Sequence, residues 1–310
     1  MMFKMWLPHM RRLSSVDYFN LEVQGIEPCS GFIDMSESSS LSSLFIDKVP
    51  CPIFVRSDFL CTLILASTPI DVCIKVLFQC TSIEECQMTN PAAASDESYV
   101  SPVDDFVTFP NLWSFHWCYS GSIWETALEY FYAPSLDELG WHQLPSVKQY
   151  EDDEPFETFA MNIPSSITTV EVGGIWEEAN FFLYLPKCLE MRGGLQLSVG
   201  SFRALMDSAR HLVTPEFTSS GTPVTPFPEF DDLRISGIGD RPVEMQPKQV
   251  VCLLKVLSQR AKAGLKLNLD LVGFLIDWDA VRAMLPPDLT ELISTRDLAV
   301  HGLLPDSEGY

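Results

Sequence analysis

Two histidines and one cysteine are the residues of this chain best suited to chemistry. His116 and Cys118 are separated by one residue in "FHWCY", and His142 follows in "LGWHQL". Alternate residues of a strand share a face, so all three would meet if the two segments were neighbouring strands in register. Cysteine beside histidine can form a thiolate nucleophile, and one cysteine with two histidines can bind zinc. The sequence supplies no identifiable fourth ligand or oxyanion pocket, so a chance grouping of polar side chains is the simpler interpretation.

Signatures of common enzyme classes are missing from the sequence. It contains no G-x-S-x-G, no G-x-x-x-x-G-K-[ST] and no H-E-x-x-H. Acidic pairs such as Asp104 and Asp105 fall in acidic, proline-containing segments where solvation explains them. We therefore predict a non-enzymatic protein without a cofactor or metal. A Cys/His-dependent enzyme or a zinc-binding protein that uses Cys118, His116 and His142 is the alternative.

Composition limits the partners. With 310 residues, 46% of them hydrophobic, the chain can bury a large core. Its 42 acidic and 20 basic residues give a net charge of −22, which would repel nucleic acid and anionic membranes. The nine cysteines are an odd number without a C-x-x-C pair, as expected of reduced thiols. We predict a cytoplasmic or nuclear protein with neither a nucleic-acid nor a membrane partner.

The elements that would position these residues follow a recurring pattern, L-x-x-L-x-L-x-x-L. The first seven copies start at 13, 41, 60, 83, 112, 136 and 167, separated by 28, 19, 23, 29, 24 and 31 residues. A short strand with two inward apolar residues cannot shelter them alone and must stack on copies of itself. Segments with helical spacing, such as 69–80, lie between copies. This predicts an α/β leucine-rich-repeat-like solenoid, with a curved parallel sheet on the concave side and helices on the convex side. An unrelated α/β domain is the alternative.

The solenoid is predicted to span residues 1–306, with a short tail at 307–310. The pattern is less regular at 183–228, and the C-terminal part predicts a helix over 247–264, a strand over 265–271 and a last helix within 277–285. Segments 90–102, 149–157 and 218–228 are rich in Pro, Ser or acidic residues and are predicted to be mobile loops.

Several motifs carry a family resemblance. The segments "PIDVCIKVLFQCTSIEECQM", "FPNLWSFHW" and "YAPSLDELGW", within residues 7–175, resemble the leucine-rich repeat region of basidiomycete-type fungal F-box proteins. The resemblance implies the substrate-recognition part of a cullin-type ubiquitin ligase subunit. The family's N-terminal F-box, which docks the ligase adaptor, does not precede the first repeat here. A truncated gene product, or a protein that binds partners without recruiting a ligase, would each fit that departure.

The concave face is the predicted binding surface. Its outward positions include six acidic residues and one basic residue, which favours a basic or hydroxyl-rich peptide, although an acidic protein would show the same excess by composition alone. Phe19, Phe45 and Ile64 would form an apolar patch that anchors a partner, or that residues 1–9 or a loop cover. The predicted binding residues are Asp17, Phe19, Phe45, Asp47, Ile64, Glu85, His116, Glu138, His142, Glu171, Asp232 and Arg234.

Overall fold

The computed structural model divides the chain into two compact units, Met1–Pro164 and Ser165–Tyr310. The predicted single solenoid over 1–306 stays a prediction. The segment 149–157 and the predicted tail 307–310 lie outside the described residues. The structure describes residues 18–22, 32–35, 41–55, 58–95, 98, 100–143, 158–159, 162–164, 167–174, 194–199, 202–214, 216–217, 223–224, 231–237, 242–301 and 303.

Parallel strands form the framework of the first unit. In its sheet, β1, β3, β5, β6, β8 and β10 lie side by side in that order, and each described pair is parallel. The two-residue strands form separate parallel pairs, β2 with β4 and β7 with β9. The strands are β1 (Tyr18–Glu22), β2 (Ile33–Asp34), β3 (Ser43–Asp47), β4 (Ile53–Phe54), β5 (Thr62–Ala66), β6 (Glu85–Thr89), β7 (Val107–Thr108), β8 (Ser114–Tyr119), β9 (Phe131–Tyr132) and β10 (Glu138–Gln143).

Alternation of apolar residues explains why these strands stack. Successive strand residues point to opposite faces, so two inward residues per strand give a continuous apolar layer. The predicted inward residues are buried, which confirms the pattern: Leu44, Ile46, Leu63, Leu65, Cys86, Met88, Phe115, Trp117, Leu139 and Trp141.

Two short helices cover this apolar layer. Helix α1 (Ile70–Leu77) falls within the segment predicted as helical and buries seven of its eight residues. It packs against a 3-10 helix (Ile123–Tyr130), and the Lys75 ammonium lies 4.4 Å from the centre of the Trp124 ring. Asp71 in the first turn of α1 accepts hydrogen bonds from the backbone N–H and the hydroxyl of Ser95, both at 2.8 Å. One end of the predicted loop 90–102 is therefore fastened to α1.

Three strands of the first unit end in the same unusual turn. Lys48, Ser67 and Asn90 directly follow β3, β5 and β6, and their φ angles are 56°, 47° and 46°. The N–H of Lys48 donates to the Ala66 carbonyl and that of Ser67 to the Thr89 carbonyl, both at 3.0 Å. The parallel ladder therefore continues one residue into a left-handed turn that favours glycine or asparagine.

The register of β1 corrects one predicted face residue. Phe19 pairs with buried Leu44, and Asn20 pairs with Phe45. The repeat alignment places Val16 opposite Leu44, so the observed register differs from it by three residues, and any odd shift exchanges the two faces of a strand. Phe19 therefore takes a core register position and does not extend the row of Phe45 and Ile64. Asp17 lies outside the described residues.

The second unit repeats the parallel arrangement. Its sheet has the order β11, β12, β15, β17, β19, in described parallel pairs. Within 183–228, where the sequence pattern is less regular, the structure describes one long strand, one helix and a short antiparallel pair, β13 with β14. The strands are β11 (Thr169–Gly174), β12 (Gly194–Val199), β13 (Glu216–Phe217), β14 (Pro223–Val224), β15 (Asp232–Gly237), β16 (Val243–Glu244), β17 (Leu267–Val272), β18 (Phe274–Leu275) and β19 (Leu298–Val300).

The described part of the second unit contains four helices: α2 (Phe202–Val213), α3 (Pro247–Lys262), α4 (Trp278–Met284) and α5 (Pro287–Ser294). The predicted helix over 247–264 corresponds to α3, and Gly264 follows it with φ 82°. The prolines predicted to break the last helix end α4 and also start α5, because proline fits the first turn of a helix. The fold is therefore α/β, with large parallel sheets and few helices. None of the helices in the described ranges is both long and apolar enough to cross a bilayer.

Candidate functional site

The outer face of the first unit is defined here by the side chains of β3, β5, β6, β8 and β10 that alternate with the buried ones. The strand register aligns them in rows across the sheet, as the repeat predicted. The first row is Ser43, Thr62, Glu85, Ser114 and Glu138. The middle row is Phe45, Ile64, Gln87, His116 and Gly140. The third outward residues of the five strands are Asp47, Ala66, Thr89, Cys118 and His142.

A polar cluster occupies the β8–β10 end of the outer face. The His116 Nε2 lies 3.4 Å from a Glu138 carboxylate oxygen, and the Ser114 hydroxyl donates to the other oxygen at 3.1 Å. A Cβ added to Gly140 would lie 2.1 Å from His116 Nδ1. The imidazole therefore occupies the space that any larger residue at position 140 would fill.

His142 completes this cluster from the far end of β10. It pairs in register with Cys118, which confirms the predicted neighbourhood of the two side chains. Ring nitrogens of His116 and His142 lie within 4.8 Å of each other. Pairing of β8 with β10 therefore places His116, Cys118 and His142 on adjacent strands, as the sequence predicted.

The environment of Cys118 opposes a nucleophilic role. Its side chain is buried, and burial raises the pKa of the thiol, although a backbone hydrogen bond from Asn90 acts in the opposite direction. A nucleophilic cysteine needs a lowered pKa so that the thiolate is populated near neutral pH. The local electrostatics therefore favour the neutral thiol.

An apolar pair occupies the β3–β5 end of the outer face. Phe45 and Ile64 are register partners on adjacent strands, and both are partly exposed. Asp47 follows on β3 and forms an ion pair with Lys48 at 3.0 Å, while Glu85 on β6 is exposed. Apolar and acidic side chains thus lie within a few strand spacings of each other.

The remaining predicted residues belong to the second unit and have polar neighbours there. Glu171 accepts a hydrogen bond from the Gln196 side chain at 3.0 Å, and Asp232 accepts one from the Asn268 side chain at 2.9 Å. The Arg234 Nε lies 3.7 Å from a carboxylate oxygen of Asp270. Two carboxylates thus accept hydrogen bonds from neutral amides, and one guanidinium faces a carboxylate, all on neighbouring strands of their own sheet.

A buried carboxylate, Glu125, was missed by the sequence reasoning. It accepts hydrogen bonds from the Trp117 indole at 2.8 Å, from the N–H of Ser120 and Ser122, and from the Ser120 hydroxyl. Burial raises the pKa of Glu125 and these four hydrogen-bond donors lower it, and the net pKa is about 7. Ser122 and Glu125 form a capping box at the start of the 3-10 helix, and the spacing S-x-x-E in "SIWE" was the available signal.

No family model, no curated protein and no solved structure matches the chain.

Proposed function

We propose that this chain is a non-enzymatic protein-interaction module that binds an extended basic segment of a partner protein on the outer face of the first unit. In this proposal the sheet is the concave side of a leucine-rich-repeat-like solenoid, resembling the substrate-recognition part of an F-box/LRR ubiquitin ligase subunit. The observation that carries the proposal is the partly exposed pair Phe45 and Ile64, in register and beside acidic side chains.

The apolar pair supplies an anchor. Side chains in register on parallel strands lie about 5 Å apart, so Phe45 and Ile64 present one continuous apolar surface. Interfaces typically gain most of their binding free energy from a few such apolar or aromatic anchors surrounded by polar residues. A single aromatic or branched aliphatic side chain of the partner would fit this surface.

The acidic side chains would attract basic partners and disfavour acidic ones. Glu85 is exposed one strand beyond Ile64, and Glu138 is partly exposed at the other end of the outer face. The chain as a whole carries a net charge of −22. A negative surface accelerates association with basic segments and rejects acidic ones. The preferred ligand is therefore a Lys/Arg-rich segment with one apolar residue.

Fluorescence anisotropy with two labelled peptide pools tests this proposal. One pool contains Lys, Arg and Ser around a central Phe or Leu, and the other replaces the basic residues with Asp and Glu. We expect saturable binding of the basic pool alone, weakening as salt is added because exposed charges are screened.

Charge reversal locates the surface. Glu85→Lys should weaken binding of the basic pool about tenfold. The matched control Asp104→Lys makes the same charge change at an exposed position outside the strands that form the outer face, and should have little effect. Equal losses in the two variants would show that net charge, rather than this face, determines binding, and would overturn the proposal.

A further inference from the structure

We propose that His116 and His142 form a binding site for a divalent transition-metal ion such as Zn²⁺ or Ni²⁺ on the outer face of the first unit. Imidazole nitrogen is a preferred ligand for these ions. The two rings come from adjacent parallel strands, and their nitrogens lie within 4.8 Å of each other. This inference does not depend on peptide binding.

The distance between the rings is close to that of a chelate. Metal–nitrogen bonds of about 2.0–2.1 Å place two nitrogens on one tetrahedral ion about 3.3 Å apart. Both side chains are partly exposed, and rotation of the His142 ring would close the remaining distance. The strands themselves need not move, because their register already places His142 two residues beyond the partner of His116.

Glu138 and Gly140 hold the His116 ring in place. Glu138 and His142 are four residues apart on β10, on either side of Gly140, so they approach the His116 ring from opposite directions. The Nε2 faces the Glu138 carboxylate at 3.4 Å. A carboxylate behind a ligating histidine fixes the ring and increases its basicity. Glu138 is thus a positioning residue.

Cys118 is not required in this site. Its register places it opposite His142, but its side chain is buried. Two histidine ligands leave coordination positions for water or for a side chain of a bound partner. A two-histidine site with Cys118 outside it is therefore distinct from a Cys/His zinc site.

Isothermal titration of the full chain with ZnCl₂ and NiCl₂ under reducing conditions tests the assignment. We expect one saturable equivalent at pH 7.5, weakened at least tenfold by His116→Gln or His142→Gln. The matched control His301→Gln changes an exposed histidine in the second unit and should leave the titration unchanged.

Three further variants separate the roles. Gly140→Ala removes no donor, yet its Cβ would displace the His116 ring, so it should weaken binding while the thermal midpoint of the apo chain changes little. Glu138→Gln should weaken binding about tenfold without changing the stoichiometry. Cys118→Ser should bind as the unmodified chain does. The assignment is overturned if the unmodified chain shows no saturable binding, if both histidine variants retain it, or if Cys118→Ser abolishes it.

Discussion

The two ends of the outer face of the first unit share a backbone and differ in chemistry. At the β3–β5 end, Phe45 and Ile64 present an apolar surface, whereas at the β8–β10 end His116, Glu138 and His142 form a polar cluster. Both ends rest on the same kind of buried apolar row. This comparison indicates that the inward residues determine how the strands stack, whereas the outward residues are available for recognition.

The largest expected effect comes from the shared core. Trp117→Ala should lower the free energy of unfolding by about 3–5 kcal/mol, because a fully buried indole is replaced by a cavity. His116→Ala, the preceding residue on the outer face, should cost less than about 1 kcal/mol. Denaturant unfolding measures both. Similar losses in the two variants would contradict the assignment of opposite faces to neighbouring residues of β8.

Glu125 gives the next largest effect, through pH. Its folded-state pKa of about 7 lies above the ordinary glutamate value of 4.5. The folded chain therefore holds a proton that the unfolded chain has lost, and this stabilisation is fully present below about pH 4.5 and is lost as pH rises through about 7. At about 1.4 kcal/mol per pKa unit, the change is on the order of 3 kcal/mol.

Comparison with Glu125→Gln isolates this dependence from other carboxylates. Free energies of unfolding of the two proteins should differ by an amount that changes between pH 5 and pH 7.5, because the amide does not titrate. The variant should be less sensitive to rising pH than the unmodified chain. A difference that stays constant over this range would show that Glu125 does not titrate there.

A smaller effect is expected for the apolar anchor in binding. Phe45→Asp should weaken binding of the basic peptide pool by about tenfold, because the anchor surface is lost. Phe54→Asp is the matched control, since Phe54 on β4 is 48% exposed but does not belong to the outer face. Weaker binding in the control alone would move the recognition surface to the β2–β4 pair.

The smallest effect concerns the turns that end the strands. Ser67→Gly should raise the free energy of unfolding by about 0.5–1 kcal/mol, because serine is held at φ 47°, where glycine has no steric cost. Asn90→Gly should raise the free energy of unfolding by a smaller amount, since asparagine tolerates the left-handed region. Thermal unfolding of both variants checks the order. A larger gain at Asn90 would contradict it.

Much of the sheet could be predicted because the alternation of apolar and polar residues is visible within each strand by itself. Leu63 and Leu65, or Phe115 and Trp117, identify both the strand and its buried face without reference to distant residues. The pairing of Cys118 with His142 followed from the same repeat. The helix over 247–264 was predicted from its own periodicity and a terminal glycine.

What could not be predicted depends on contacts between segments. The register of β1 is set by pairing with β3. The repeat that starts at Leu13 aligns Val16 with Leu44, whereas the structure pairs Phe19 with Leu44, three residues further along. The four hydrogen bonds to Glu125 come from residues brought together by the turn after β8. The contact of His116 with Glu138 needed the bare backbone of Gly140, which a pattern of strand residues does not reveal.

Site-specific photo-crosslinking tests the central claim, recognition on the outer face, most directly. Benzoylphenylalanine would replace either Phe45 or Phe54 in chains incubated with the basic peptide pool, and crosslinked chains would be counted by mass spectrometry. We predict abundant peptide adducts from position 45, few from position 54, and loss of the position-45 adducts at high salt. Adducts mainly from position 54, or equal yields from both positions, would contradict binding on the outer face.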